Sequence, residues 1–167
     1  SLQARDAYVT VLPHAATRAD VEAVDQDLLF ISNGPGDPET FEAAETVVAD
    51  FAGDLPIAGI CLGQQVVANA LGGSTEKMEF GHRGVNQPVR DLDSGRVVMT
   101  TQNHGYTVDE TGDLEVTQIN VNDDTPEGLD SEELGIITRQ YHPEAHPGPH
   151  DSLPFFDDVL DLAEDSE

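Results

Sequence analysis

Cysteine and lysine each occur once in this chain of 167 residues, and both scarcities exclude something. The lone Cys61 rules out an internal disulfide and fits a reducing compartment. Seven basic residues stand against thirty-three acidic ones, a formal charge of −26. Such a surface speaks against nucleic acid as a partner, because phosphate binding runs on Lys and Arg. No apolar run approaches the roughly 20 residues of a membrane-spanning helix, and no signal peptide is visible, so a cytoplasmic location is expected. The chain also lacks internal repeats, low-complexity linkers and a phosphate-binding loop. Its length suggests one domain with no ATP chemistry of its own.

What is present in excess is acid. Carboxylates are spread along the chain and thicken at its end (Asp157, Asp158, Asp161, Glu164, Asp165, Glu167). A disordered acidic tail, or a binder of basic partners, is one reading. Against it, the apolar periodicity is intact and the charge forms no single block. Dispersed acidity with almost no lysine resembles the cytoplasmic proteins of salt-accumulating halophiles. Near 1 M salt the Debye length falls to about 3 Å, which screens the self-repulsion.

The densest motif is Gly59-Ile60-Cys61-Leu62-Gly63. It follows a short apolar run, Leu55 to Ile60, that reads as a buried strand. It precedes Gln64 to Leu71, where Val66, Val67, Ala70 and Leu71 recur at helical spacing. A nucleophile on a tight strand-to-helix turn is an elbow arrangement. The helix N-terminus behind the thiol favours its anion. A buried, inert cysteine is the competing reading.

A second constellation weighs against inertness. After the strand-like run Gly135 to Arg139 the chain reads Gln140-Tyr141-His142-Pro143-Glu144. Two positions apart at a strand end, Glu144 can hold one imidazole nitrogen of His142 as N–H. The other nitrogen is then free to take a thiol proton. His142, Glu144, His146 and His150 also form a candidate cluster for a transition metal, but three prolines rule out the helical two-histidine arrangement.

Together these runs resemble the triad-type, class I glutamine amidotransferases. Ser32-Asn33-Gly34-Pro35-Gly36-Asp37-Pro38, Phe80-Gly81-His82-Arg83-Gly84, Asn86-Gln87-Pro88-Val89, Gln102-Asn103-His104-Gly105 and Pro147-Gly148-Pro149-His150-Asp151 are similar to the glutaminase domain of the carbamoyl-phosphate synthase small subunit. The resemblance implies Cys61, His142 and Glu144 as catalytic triad. It implies glutamine and oxyanion contacts from backbone near Gly34, Gly36 and Leu62, and glutamine contacts from Gln65, Asn103, Gly105 and Tyr106. Gln65 also reads as a polar residue of the first helical turn, and Asn103 to Gly105 as a turn after a strand. Gln64 stands where the family usually has histidine. His82 reads as a structural or interface residue. The implied partners are L-glutamine and a large synthetase subunit, which would carry the ATP and metal, with no metal or cofactor in this chain. The implied product is carbamoyl phosphate for arginine and pyrimidine synthesis. An amidotransferase subunit of another synthase, such as a chorismate-using one, and a non-catalytic interaction subunit are the alternatives.

The expected elements are strands at Tyr8–Leu12, Leu28–Ile31, Leu55–Ile60, Thr75–Phe80, Val89–Asp91, Val97–Thr101, Leu114–Asn120 and Gly135–Tyr141. Expected helices run near Ala19–Val24, Glu39–Ala52, Gln64–Leu71 and Pro154–Ala163, with Asn122–Glu127 as a surface insertion. This order predicts an α/β three-layer sandwich with a mainly parallel central sheet and a short antiparallel extension. By the resemblance the chain starts inside the domain's first helix, so a first strand and a preceding small-subunit domain are expected to be missing. Ligands are expected at the carboxyl ends of the strands, where Gly34, Cys61 and His142 fall.

Overall fold

The computed structural model describes residues 1–164. Three short strands run parallel at one end of its sheet: β1 (Leu29–Ile31), β2 (Ile57–Ile60) and, from the far end of the chain, β7 (Ile136–Arg139). All four residues of β2 are buried, as a strand covered on both faces requires. Ile57 joins a core with Val47, Val48 and Phe51 of α2 (Glu42–Phe51) and with Val66 and Val67 of α3 (Leu62–Ala70). Ala58 and Ile60 point the other way, towards Phe155, Phe156 and Val159 of α4 (Phe155–Glu164). Helices on both faces make the three expected layers. A short α1 (Arg18–Glu22) is closed by a capping box in which Thr17 and Asp20 satisfy each other's backbone N–H.

β7 is where the sheet changes sense. It runs parallel to β2 and antiparallel to β6 (Pro126–Ser131). Beyond β6 come β5 (Glu115–Asn120), β3 (Ser74–Asp91) and β4 (Val97–Glu110), for a strand order of β1-β2-β7-β6-β5-β3-β4. The antiparallel extension, expected to be short, therefore has four strands.

Several expected boundaries shift, each for a physical reason. Thr75–Phe80 and Val89–Asp91 are two ends of one strand, because Gly81 (φ 69°) and Gly84 (φ 133°) sit where the β3–β4 register slips. They bulge the strand and do not end it. β4 likewise runs on through Asn103 to Gly105, which are not a turn. The expected insertion at Asn122–Glu127 leads directly into β6, whose Glu127, Gly128 and Leu129 are buried. The helix expected over Glu39–Ala52 is divided into a 3-10 turn at Pro38–Thr40, capped by Asp37, and α2. Tyr8–Leu12 joins no ladder among the described residues, and Tyr8 is 97% exposed. Its alternation is strand-like, but a strand forms only against a neighbour, and β1 pairs on one side alone, with β2. Asp165 and Glu167, expected as part of the acidic tail, lie outside the described residues.

Candidate active site

The close approach of α3 to the sheet creates the site. A Cβ on Gly63 would overlap the carbonyl oxygen of Ile31 and lie 2.9 Å from its carbon. A Cβ on Gly59 would lie 2.9 Å from the Gly63 carbonyl carbon. The two glycines let the helix start directly against the ends of β1 and β2. Between strand and helix the backbone turns through Cys61 at φ 53°, ψ −105°, a conformation that L-residues adopt only under constraint. The sulfur-bearing residue is 5% exposed and precedes the unsatisfied N–H groups of the first turn of α3.

The base approaches through β7. The Cys61 N–H donates to the Arg139 carbonyl (2.8 Å), and three residues later the His142 N–H donates to the Thr101 carbonyl (2.8 Å). His142 is thereby fixed between the elbow and β4. Its Nδ1 lies 2.8 Å from Glu144 Oε1, which leaves Nε2 as the ring atom available to the thiol. The His142 imidazole is pushed up to about 10, first by the Cys61 side chain and then by Glu144. Burial acts to raise the Glu144 carboxyl, but hydrogen bonds from His142 and the backbone and the charges of His142 and His146 together outweigh this and hold it below the ordinary range.

The sign of the Glu144 effect follows from charge. A carboxylate stabilises the imidazolium, so the stability this raised pKa supplies is complete below about pH 6.5 and is lost as pH rises through about 10. In Glu144→Gln the imidazolium should lose its proton at lower pH. The alkaline limb of the kcat–pH profile should move down, with the plateau reduced about 10²–10⁴-fold. An alkaline limb that stays in place would show that Glu144 does not act on His142.

A cavity of about 300 Å³ opens above the thiol. Gly34, Gly36, Leu62 and Gln65 line it from the parallel strands and α3, and Asn103, Gly105 and Tyr106 from β4. All seven expected substrate contacts thus converge beside Cys61, at the carboxyl ends of the strands. The Tyr106 hydroxyl donates to Asp37 Oδ2 (3.0 Å), bridging the two walls. Gln65 supports the wall more than it reaches into the cavity: its Nε2 donates to the Tyr106 carbonyl and to Gln140 Oε1, each at 2.9 Å. Gln64, in place of the usual histidine, is fully buried.

Lys77, Arg83 and His104 also line the cavity, and sequence reasoning did not assign them to it. Their only signal was alternation along strands whose extent was misjudged.

Behind β4 a polar chain backs the cavity wall. His104 Nδ1 lies 2.8 Å from the Tyr106 carbonyl, and its Nε2 lies 2.9 Å from Gln102 Oε1. Gln102 and Asn120 both donate to Oε1 of the fully buried Glu127, at 2.7 and 2.9 Å. His82 stands between Glu127 and Asp123, at 3.5 and 2.8 Å. Glu127 first, then Asp123, push His82 up to about 9, whereas burial pulls His104 down to about 4. Among the described residues, His82, His104 and Glu127 are the side chains that converge as potential metal ligands, not the run from His142 to His150. The amide donors on Glu127 and the carboxylates around His82 make the cluster a buried charge pair.

The chain belongs to the class I glutamine amidotransferases: the family described as Glutamine amidotransferase class-I matches residues 1–162. Within that class, it is 71% identical over 163 residues to the carbamoyl phosphate synthase small chain of Halobacterium salinarum, covering 98% of this chain and 46% of that protein. It is 47% identical over 161 residues to the small chain from Archaeoglobus fulgidus, covering 95% of this chain and 45% of that one. The chain therefore spans about half the length of the curated relatives it matches. A putative GMP synthase subunit from Thermoplasma acidophilum shares the fold at a TM-score of 0.79 and 18% identity, over 93% of this chain and 81% of that one.

Proposed function

We propose that this chain is the glutaminase part of a carbamoyl phosphate synthase small subunit. It would hydrolyse L-glutamine and pass the ammonia to a large subunit that uses ATP and bicarbonate. The observation that carries this reading is Cys61 at positive φ on the elbow, beside a His142 that is bonded to Glu144. Relatives named carbamoyl phosphate synthase small chain, among them a pyrimidine-specific one from Bacillus subtilis, support the choice of partner.

The residues divide the chemistry as follows. The Cys61 thiolate attacks the side-chain amide carbon of glutamine, and the carbonyl electrons move onto oxygen. Backbone N–H groups near Gly34, Gly36 and Leu62 hold that oxyanion; a Cβ on Gly34 would sit 3.0 Å from Leu62 Cδ2, so these segments are in contact range. Collapse breaks the C–N bond as His142 gives its proton to the departing ammonia, leaving a γ-glutamyl thioester. Water then attacks with His142 as base, releasing glutamate and the thiolate. A cavity of about 300 Å³ suits one small amino acid. ATP, and any metal serving it, belongs on the large subunit.

Location in the cytoplasm, a salt-rich interior, and a role in arginine as well as pyrimidine synthesis belong to the same proposal. The net charge of −26 and the likeness to a Halobacterium protein favour the first two. The test is glutamate release from glutamine in molar KCl, together with labelling by a glutamine-like electrophile. One adduct, on Cys61, with matching loss of glutamate release supports the reading. A folded chain that neither hydrolyses glutamine nor takes the label, alone or with its large subunit, refutes it.

A further inference from the structure

Acid is missing from most of the β3–β4 ribbon. None of the thirty-three Asp and Glu residues falls in segments 80–90 and 96–108, which make up most of the β3–β4 ribbon. Those segments hold three of the seven basic residues, Arg83, Arg90 and Arg96. Burial does not account for the pattern. Thr100, Gln102 and His104 are buried on the inner side, but the alternate face carries Val97 at 49% exposure and Met99 at 45%. Phe80, at 80%, stands exposed at the bulge. Two aspartates beside the face are held by cations, Asp123 by His82 and Asp124 by Arg90 at 3.8 Å.

The same face reaches the nucleophile. Arg83 and Asn103 are register partners across β3 and β4, and both line the Cys61 cavity. We propose that the outer face of the β3–β4 ribbon is the docking surface for the ATP-using synthetase subunit, with apolar contact at Val97 and Met99 and a partner carboxylate opposite Arg83. This rests on the function proposed above. Covering a carboxylate without a partner is costly, so a surface that becomes buried sheds its acids, while arginine and large apolar residues are retained. On a chain of this charge, an acid-free face is also where another acidic protein meets least repulsion. Its continuity with the cavity gives ammonia a short path. A second copy of this chain fits worse, since a two-fold contact of the face with itself would oppose like charges.

The experiment uses the full-length small subunit together with its synthetase in molar KCl. Val97→Glu/Met99→Glu should weaken their association ~30-fold or more, the scale of a disrupted hot spot. Glutamine-dependent synthesis at limiting subunit should fall with it, while ammonia-dependent synthesis and glutamate release by the free small subunit persist. Ala49→Glu, on the exposed side of α2, should change neither. Met99→Asp alone, a smaller change on the same face, should also weaken association and keeps the test open if the double variant misfolds. Unchanged affinity in folded variants overturns the assignment, as does an equal loss from Ala49→Glu. Dimerisation of the free subunit that the double variant abolishes, with synthetase affinity intact, overturns it too. A wild-type pair that never associates refutes instead the functional reading beneath it.

Discussion

Cys61→Ser should lower glutamate release by about 10⁴-fold or more, the scale seen when a catalytic nucleophile is removed. The oxygen analogue is close in size, so the elbow and the cavity survive the exchange. What is lost is the nucleophile: a hydroxyl is intrinsically far less acidic and less nucleophilic than a thiol, so the same base activates it poorly. Glutamine should still bind, because its contacts are expected from Gly34, Gly36, Asn103 and Tyr106, none of which moves. The measurement is kcat for glutamate in molar KCl, beside glutamine affinity by calorimetry. Retained affinity with lost turnover is the expected pair of results. Turnover within tenfold of the parent would place the nucleophile elsewhere. Since the chain has one cysteine, no second thiol can mask the outcome.

Gly63→Ala should be severely destabilising, costing about 3–5 kcal/mol of stability. Helix propensity alone argues the reverse, since alanine inside a helix is favoured over glycine by about 1 kcal/mol. The clash decides the sign. The new methyl would fall on the Ile31 carbonyl, which is backbone at the end of β1 and cannot swing aside. Relief requires α3 to lift from the sheet, carrying Val66 and Val67 out of the core and displacing the Leu62 N–H from the oxyanion position. Urea denaturation in molar KCl reads the effect. A stability within about 1 kcal/mol of the parent would show that α3 can slide, and that the tight seat is not needed.

The elbow and the His142–Glu144 pair were legible in the sequence because each is local. Gly59 to Gly63 packs strand end, nucleophile and helix start into five residues, and His142 and Glu144 lie two apart. The parallel strands were legible too, as short apolar runs. The ribbon was harder. Gly81, Gly84 and Pro88 punctuate β3 like loop residues, yet antiparallel pairing absorbs them as bulges, and a partner strand is invisible to a local reading. β6 was missed because Pro126, Glu127 and Gly128 carry no alternation; its Glu127 is buried through Gln102, Asn120 and His82, which come from three other strands or their ends. Lys77, Arg83 and His104 reach the cavity through that same ribbon. In each case the missing information was a partner distant in the chain.

The seam between β2 and β7 also governs when this protein becomes itself. Ile60 pairs with Arg139, and the Cys61 N–H closes on the same residue, so the thiol and its base meet only across a span of roughly eighty intervening residues. Bringing ends of such separation together is entropically costly, and contacts of this kind form slowly. A chain in which β7 has not paired with β2 thus has Cys61 without His142 beside it.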